Sequence, residues 1–300
     1  MAGAEIKLIA QRENAVFRIQ KDELTYAMRL HRVGYRTHVQ LQSELEWMAA
    51  LAIGGLSLPK PVAAKDDRLC QEIDGVTVDV LSWVDGTPLS ESNGQDDQID
   101  WPDVYYCIGE EMAKLHDISD NWQWSEKFER PAWNRAGLVG VEPLWGSFWA
   151  NPGLTKTEQE TLLDFKAQAF SALDGLKDQL DYGLIHADIV HENVMKTEKG
   201  VSLIDFDDGG FGYRLFDLAT LLNRAHRENL LTDCYLAFLQ GYKSVRFIDT
   251  IHLALFQALR SVTYVGWNIG RISEPGGLER NRRFIDAALY WCGEFNASSE

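Results

Sequence analysis

Residues Leu184–Leu222 read LIHADIVHENVMKTEKGVSLIDFDDGGFGYRLFDLATLL, and this stretch decides the fold. Its first part places a His-x-Asp pair, ending at Asp188, and an asparagine, Asn193, on one loop. The following run, Val201–Ile204, is apolar except for one serine, which predicts a buried strand that ends at Asp205. This layout is typical of a protein that binds Mg–ATP and moves its terminal phosphoryl group.

Phosphoryl transfer needs positioned substrates and metal ions that neutralise the triphosphate, and it needs little covalent help from the protein. We therefore predict that Asp188 accepts the proton of an acceptor hydroxyl, and that Asn193 and Asp205 bind Mg²⁺. One amide and one carboxylate suit Mg²⁺, which keeps water and phosphate oxygens among its ligands. A calcium loop is a competing interpretation of the acidic turn, but the Gly and distal Glu of an EF-hand are missing at the required spacing.

Two further residues of the stretch are predicted to be structural. Asp217 lies in the apolar helical segment FDLATLL and is expected to hydrogen-bond the backbone of the catalytic loop. His186 is expected to order that loop. Two roles stay open for Asp207: it either assists a second metal ion or caps the turn.

The stretch resembles the catalytic core of the aminoglycoside phosphotransferase and choline kinase superfamily. It is most similar to the bacterial phosphotransferase enzyme family, near the type II homoserine kinases and stress-response kinases. IHADIVHEN is similar to the family's catalytic loop and LIDFDD to its metal-binding motif. The resemblance implies Asp188 as base and Asn193 and Asp205 as metal ligands. This chain departs from the usual Gly, His and Pro/Gly of that loop at Ala187, Val190, His191 and Glu192.

The resemblance implies an α+β, protein-kinase-like fold with two lobes. Residues 1–85 are the expected small, β-rich nucleotide-binding lobe, and residues 86–300 the expected mainly helical catalytic and acceptor-binding lobe. The sequence patterns of residues 1–85 agree with a β-rich lobe. Ala15–Ile19 and Leu24–Leu30 read as strands, and Thr37–Ala52 has helical spacing, with Thr37 as the N-cap and Gly54-Gly55 at the end.

Four residues of the first lobe are implied to contact ATP or to support that contact. Arg29 stands in the third strand where the family usually has a phosphate-contacting lysine. Glu44, or alternatively Glu46, is its expected partner on the helix. The backbone of Ser82 and Val84, in the hinge SWVDG, is expected to meet adenine. A phosphate-covering turn is expected at residues 11–14, although no glycines are present there.

In the second lobe, Asp103–His116 and four later segments read as helices, namely Phe216–Arg227, Asp233–Lys243, Thr250–Ile269 and Leu278–Phe295. Trp145, Phe148 and Trp149 have helical spacing, which fits either a buried helical face or an aromatic cage for a quaternary ammonium group. Candidates for lining the acceptor site are Tyr264, Trp267, Asn268 and Arg271.

The composition of the chain limits the classes of molecule that we expect it to bind. A net charge of −16 and a pI near 4.9 argue against nucleic acid binding, which needs a basic face. The charge is compatible with a cationic acceptor. No apolar run has the length of a membrane-spanning helix, and the four cysteines have neither metal nor disulfide spacing. We therefore expect a cytoplasmic protein with a small-molecule acceptor and no membrane partner, while the oligomeric state is not indicated.

The sequence thus predicts a kinase that uses ATP and Mg²⁺ to phosphorylate a hydroxyl of a small molecule: an amino alcohol, a hydroxy amino acid or an aminoglycoside-like compound. A protein Ser/Thr kinase is the alternative within enzymes. The short passage from Asp205 to Asp217 leaves little room for a peptide-docking segment and favours small molecules. A catalytically silent, nucleotide-binding regulator is the alternative from another class.

Overall fold

A computed structural model describes residues 3–11, 14–91, 99–227 and 231–298. The chain forms two compact units. The first comprises Met1–Arg130, His191–Gly209 and Leu236–Arg246, and the second comprises Pro131–Val190, Gly210–Tyr235 and Phe247–Glu300. The first unit therefore contains the whole predicted nucleotide-binding lobe and additional segments of the chain. The predicted lobe boundary at residue 85 stays a prediction.

The elements follow the expected change from strands to helices. The strands are β1 (Glu5–Gln11), β2 (Ala15–Lys21), β3 (Leu24–Leu30), β4 (Cys70–Ile73), β5 (Val76–Ser82), β6 (Thr87–Pro88), β7 (Ala132–Trp133), β8 (Tyr182–Ile185), β9 (Val194–Thr197), β10 (Gly200–Leu203) and β11 (Gly210–Tyr213). The α-helices are α1 (His38–Ile53), α2 (Trp101–Asn121), α3 (Arg135–Val139), α4 (Lys156–Gly175), α5 (Arg214–Arg227), α6 (Leu231–Val245), α7 (Leu253–Trp267) and α8 (Gly277–Ala297).

The main sheet of the first unit is antiparallel, with the strand order β1-β2-β3-β5-β4. Asp74 and Gly75 both have positive φ at the β4–β5 turn, as a two-residue Asp-Gly hairpin requires. The register places Arg29 of β3 directly opposite Asp79 of β5. Strand pairing therefore brings two opposite charges together that are distant in sequence.

Helix α1 begins as its sequence predicts. Thr37 forms a capping box with Gln40, in which the Thr37 side chain accepts a hydrogen bond from the Gln40 N–H and the Gln40 side chain accepts one from the Thr37 N–H. Gly54 is the C-cap. The buried face carries Leu41, Leu45, Met48 and Leu51, and it also carries the carboxylate of Glu44. A buried carboxylate on an apolar face needs charged partners.

The hairpin of β9 and β10 belongs to the first unit and pairs with β6 on its β9 side. In the second unit, β11 lies between β7 and β8. The helices α5, α7 and α8 pack in contact with one another through α7. At the centre of this unit, the rings of Trp133 and Phe216 stack with a centroid distance of 5.3 Å. Among the described residues, no helix is long and apolar enough to cross a membrane.

Most of the predicted elements are present, with ends shifted by a few residues. The predicted helical face at Trp145, Phe148 and Trp149 is wrong, because only the 3-10 turn Phe148–Ala150 forms there. The sequence analysis did not identify the strands β1, β6, β7, β8 and β11 or the helices α3 and α4. Helix α4 buries Leu162, Phe165, Ala169 and Leu173 at helical spacing, and most of its other residues are polar.

Candidate active site

The predicted catalytic loop follows β8 and is held by Asp217, as the sequence predicts. On α5, the Asp217 Oδ2 atom accepts a hydrogen bond from the His186 N–H at 2.9 Å, and Oδ1 accepts one from the Ala187 N–H at 2.7 Å. Burial raises the pKa of the Asp217 carboxyl to about 6, although both N–H groups and two arginines, Arg214 and Arg260, oppose that shift. Because its oxygens receive two backbone donors, Asp217 is an anchor of the loop.

Asp188 follows a strained residue. Ala187 has a φ of 66°, a left-handed conformation that costs a residue with a Cβ roughly 1–2 kcal/mol. The Asp188 N–H donates to the Nδ1 atom of His186 at 3.3 Å, and its carbonyl accepts from the Val190 N–H at 2.9 Å. His186 therefore orders the loop, as predicted. The Asp188 side chain remains partly exposed, with 22% of its surface accessible.

An arginine on α7 contacts the predicted catalytic carboxylate. Arg260 Nη2 donates to Asp188 Oδ1 at 2.5 Å and to the hydroxyl of Tyr264 at 2.6 Å, while Nη1 donates to the Ala187 carbonyl at 3.2 Å. The Arg260 side chain is fully buried. The sequence analysis did not select this residue. The available signal was a single charged residue inside the apolar run LALFQALRSVTYVGW.

The two predicted metal ligands lie at the same end of the β9–β10 hairpin. Val194 pairs with Leu203 in the register, so Asn193 directly precedes the pair and Asp205 follows it by two residues. The Ile204 N–H donates to the Asn193 carbonyl at 3.0 Å, which fixes the two chain segments together. Asn193 is largely buried, whereas Asp205 is exposed and has a φ of 66°.

Acidic residues beyond Asp205 are held by a loop between β3 and α1. Arg36 Nη2 donates to the Asp207 carbonyl at 3.0 Å and to Asp208 Oδ1 at 2.9 Å, and the Tyr35 hydroxyl donates to the same Asp208 oxygen at 3.3 Å. Burial, together with the carboxylates of Glu44 and Asp208, raises the pKa of Asp207 to about 6. Oδ1 of Asp207 is buried without a hydrogen-bond partner among the described residues.

Arg29 has the predicted partner and a second one. Its Nη1 donates to Glu44 Oε1 at 2.8 Å, while Nε and Nη2 donate to the two oxygens of Asp79 at 2.9 and 2.8 Å. Burial would lower the pKa of the Arg29 guanidinium, but Asp79 and Glu44 outweigh it and hold that pKa well above its ordinary value. His31 Nε2 lies 2.6 Å from Asp79 Oδ2. Asp79 was missed, although an aspartate within the strand VTVDVLS is unusual enough to be a signal.

A second buried arginine, Arg130, connects α1 with the turn after Asp205. It lies 3.3 Å from Glu44 Oε2 and donates to the Gln40 carbonyl at 3.0 Å. It also donates to the backbone carbonyls of Phe206, Asp207 and Gly209 at 2.6–2.9 Å. No sequence pattern indicated this role, because most of the partners are carbonyl groups, which leave no signature in the sequence.

The predicted adenine-contacting residues follow β5. The Ser82 N–H donates to the Lys60 carbonyl and the Ser82 hydroxyl accepts from the Lys60 N–H, both at 2.8 Å. Val84 lies in the irregular segment between β5 and β6. Of the predicted phosphate-covering turn, residues 12 and 13 lie outside the described residues.

The tryptophan-rich segment does not form an open cage. Phe148 is fully buried, the Lys166 ammonium lies 4.1 Å from the centroid of the Trp149 ring, and the Arg260 guanidinium lies 4.7 Å from that of Trp145. A cation of the chain therefore already lies against each of these two tryptophan rings.

The four candidate acceptor residues lie at the end of α7. Tyr264 contacts Arg260, as described. Trp267 lies under the Arg271 guanidinium, at 4.0 Å from the ring centroid. Asn268 is buried and hydrogen-bonds Gly277, Arg280 and Asn281, which makes it structural.

The donor groups on the hairpin fit a hard divalent cation. Asn193 and Asp205 offer oxygen ligands, and Asp207 Oδ1 is a buried oxygen without a hydrogen-bond donor among the described residues. Within the described residues, no group of three or more His, Cys, Asp or Glu side chains could hold a metal ion by itself. This sparse set agrees with a cation that draws most of its ligands from phosphate and water.

A model of the "Phosphotransferase enzyme family" matches residues 5–253. The chain belongs to this family. Its membership confirms the family that the sequence analysis predicted. Amicoumacin kinase of Bacillus subtilis (strain 168), which the chain resembles in sequence, is 28% identical over 225 residues, with 73% of this chain and 62% of that protein covered. The chain thus spans less than two thirds of that relative's length.

Solved structures confirm the protein-kinase-like fold. A microcompartment-associated aminopropanol kinase superposes with a TM-score of 0.84 at 24% identity, covering 99% of this chain and 93% of that one. An amicoumacin kinase in complex with AMP-PNP, Ca²⁺ and Ami superposes with a TM-score of 0.75 at 18% identity, covering 95% and 88%. That relative therefore binds a nucleotide analogue together with a divalent cation.

Proposed function

We propose that this member of the phosphotransferase family transfers the terminal phosphoryl group of Mg–ATP to a hydroxyl group of a small amino alcohol. Hydroxy amino acids and aminoglycoside-like compounds are the wider acceptor class. The observation that carries the proposal is the loop held by Asp217, which presents a partly exposed Asp188 carboxylate beside the buried Arg260. Because ATP is available inside cells, a cytoplasmic location is part of the proposal.

Each residue has one role in this reaction. Asp188 orients the acceptor hydroxyl and takes its proton as the new bond from oxygen to the γ-phosphorus forms and the bond from that phosphorus to the bridging oxygen of ADP breaks. Asn193 and Asp205 would hold Mg²⁺, which would neutralise the charge of the triphosphate. Arg29, supported by Glu44, contacts the phosphates, and the backbone at Ser82 and Val84 meets adenine.

The amino alcohol is the first choice for two reasons. The aminopropanol kinase has the higher TM-score of the two solved relatives described above, over nearly the whole of both chains. The net charge of −16 attracts a cationic acceptor to the protein. Quaternary ammonium compounds are a poorer match, because Trp145 and Trp149 already contact Arg260 and Lys166.

An acceptor panel tests this proposal. ADP release is measured with Mg–ATP and, separately, with Mg–GTP, against 1-amino-2-propanol, ethanolamine, choline, homoserine and an aminoglycoside. We expect turnover with the alcohols that carry a primary amine, 1-amino-2-propanol and ethanolamine, and weaker turnover with choline. For Asp188→Asn we expect kcat to fall by about 10²–10⁴-fold. Asp286→Asn is the matched control, because it removes an exposed carboxylate that, among the described residues, pairs only with Arg282. Unchanged kcat in Asp188→Asn would contradict the mechanism.

The two alternatives give different outcomes in the same panel. A protein Ser/Thr kinase would transfer ³²P from ATP to a peptide library and to none of the small acceptors. The short segment before α5, which forms β11 directly after the acidic turn, disfavours that result. A silent regulator would bind Mg–ATP, measured by calorimetry, without Asp188-dependent turnover of any acceptor.

A further inference from the structure

Arg260 is a fully buried charge beside the proposed reaction centre. Its guanidinium lies 4.2 Å from the ring centroid of Tyr264, 4.7 Å from that of Trp145 and 5.4 Å from that of Phe216. Removing a guanidinium from water is costly, and cation–π contacts with three rings offset part of that cost. Enclosure on this scale holds the guanidinium in one place.

Three hydrogen bonds use this fixed position. One runs to Asp188 Oδ1, the second to the carbonyl of Ala187, and the third to the Tyr264 hydroxyl. The first two constrain the side chain of Asp188 and the backbone immediately before it. Ala187 is the residue with the left-handed φ, so Arg260 binds the strained peptide and the catalytic carboxylate together.

We propose that Arg260 is a positioning residue that fixes the rotamer of Asp188 and stabilises the strained backbone at Ala187, so that the carboxylate meets the acceptor hydroxyl in one geometry. This inference rests on the proposed function. A displacement of about 1 Å at a reacting group lowers rates by roughly 10²-fold, which is why a single rotamer matters. Burial opposes the charge of Arg260, but Tyr264 and Asp188 outweigh it and raise the pKa of the guanidinium, so this group stays charged.

A purely structural arginine would behave differently. Its loss would lower the free energy of unfolding and would affect the binding of ATP and acceptor together with turnover. A positioning residue acts through Asp188, so its loss lowers kcat while KM for ATP changes little. The geometry also predicts chemical rescue, because Arg260→Ala leaves a space between aromatic rings that has the shape of a guanidinium.

The experiment compares wild type, Arg260→Ala, Arg260→Lys and Tyr264→Phe with Mg–ATP and 1-amino-2-propanol. We expect kcat to fall about 10²-fold in Arg260→Ala, by a smaller factor in Arg260→Lys, and least in Tyr264→Phe. Guanidinium chloride, far below its denaturing range, should restore part of the activity of Arg260→Ala and none of the activity of Asp188→Asn. If Arg260→Ala fails to fold, Arg260→Lys and Tyr264→Phe decide the question. A lower kcat with little change in KM for ATP supports the inference, whereas changes in both kcat and KM contradict it.

Arg135→Ala is the matched control. Arg135 also combines a ring contact, 4.3 Å to Phe170, with a carboxylate partner, Asp174, and it contacts neither Asp188 nor its loop in the described interactions. We expect its kcat to equal that of wild type. Equal kcat values in folded Arg260→Ala and wild type would overturn the inference.

A second measurement separates the inference from the proposed function. If wild type phosphorylates none of the acceptors tested, the proposed function fails, and crystal structures then decide the role of Arg260. The inference expects the Asp188 side chain of Arg260→Ala or Arg260→Lys to leave its wild-type rotamer. An unchanged Asp188 rotamer in those variants would contradict it.

Discussion

Glu44 and Arg130 form an ion pair in which both side chains are fully buried, with Arg130 Nη1 3.3 Å from Glu44 Oε2. The other oxygen of Glu44, Oε1, accepts the hydrogen bond from Arg29 at 2.8 Å. One carboxylate of α1 is therefore shared by the arginine of β3 and by the arginine that binds the carbonyl groups after Asp205. Burial would raise the pKa of Glu44, but Arg29 and Arg130 outweigh it and lower that pKa.

Replacing Arg130 tests this shared carboxylate. Arg130→Met leaves one oxygen of Glu44 and the carbonyls of Phe206, Asp207 and Gly209 without their donor. We expect the free energy of unfolding to fall by about 3–5 kcal/mol, the usual range for breaking a buried pair. Urea unfolding at pH 7 measures it. Arg282→Met is the control, since its pairs with Glu158 and Asp286 are partly exposed and should contribute less than about 1 kcal/mol. Equal losses in the two variants would contradict the prediction.

The acid side of the stability curve depends on Asp79. Burial would raise the pKa of this carboxyl, but Arg29 and His31 outweigh it and the pKa is lowered. A carboxyl with a lowered folded pKa contributes stability above its unfolded pKa of about 4, and this contribution is lost as pH falls through the folded value. We expect Asp79→Asn to be destabilised most above about pH 5, with the gap to wild type narrowing below about pH 4. Urea unfolding from pH 7 to pH 3 measures the gap. A gap that stays constant over this range would argue against an ionised pair.

The conformation of Ala187 predicts opposite tolerance for two small substitutions. Ala187→Gly relieves the left-handed strain, while losing a buried methyl group and adding chain entropy, so we expect a change within about 1 kcal/mol. Ala187→Val places a β-branched residue at a φ of 66° in a fully buried position, and we expect a loss of about 2–4 kcal/mol. Thermal unfolding of both variants is the measurement. A destabilised glycine variant together with a stable valine variant would show that the strain is absent.

The Mg²⁺ dependence of activity tests whether Asp205 is a metal ligand. Asp205→Asn removes the charged oxygen while keeping the side-chain shape, and we expect the Mg²⁺ concentration for half-maximal activity to rise by at least about 10-fold. Activity should disappear in EDTA and return with added Mg²⁺. Asp66→Asn is the control, because Asp66 is an exposed carboxylate that pairs with Arg68. If Asp205→Asn keeps the Mg²⁺ dependence of wild type, Asp205 does not bind the metal.

Much of this architecture follows from local patterns. The capping box at Thr37 and the turn at Asp74-Gly75 act over a few residues, so their geometry is visible in the sequence. The anchoring role of Asp217 was also predictable, since a lone carboxylate in an apolar helix must satisfy its oxygens nearby. By contrast, the aromatic residues around Trp145 have helical spacing without forming an α-helix, because packing against α7 and Arg260 outweighs the local preference.

The sequence by itself predicted the type of chemistry, because Asp188, Asn193 and Asp205 lie within one short stretch whose spacing is governed by a loop and a hairpin. Only the tertiary structure decided which charges pair with Arg29, Glu44 and Asp188. Asp79, Arg130 and Arg260 lie 50, 86 and 72 residues from their partners Arg29, Glu44 and Asp188, and they meet them through strand pairing and packing of distant segments. A buried charge must find a counter-charge wherever the fold supplies one, and local sequence carries no record of that distance.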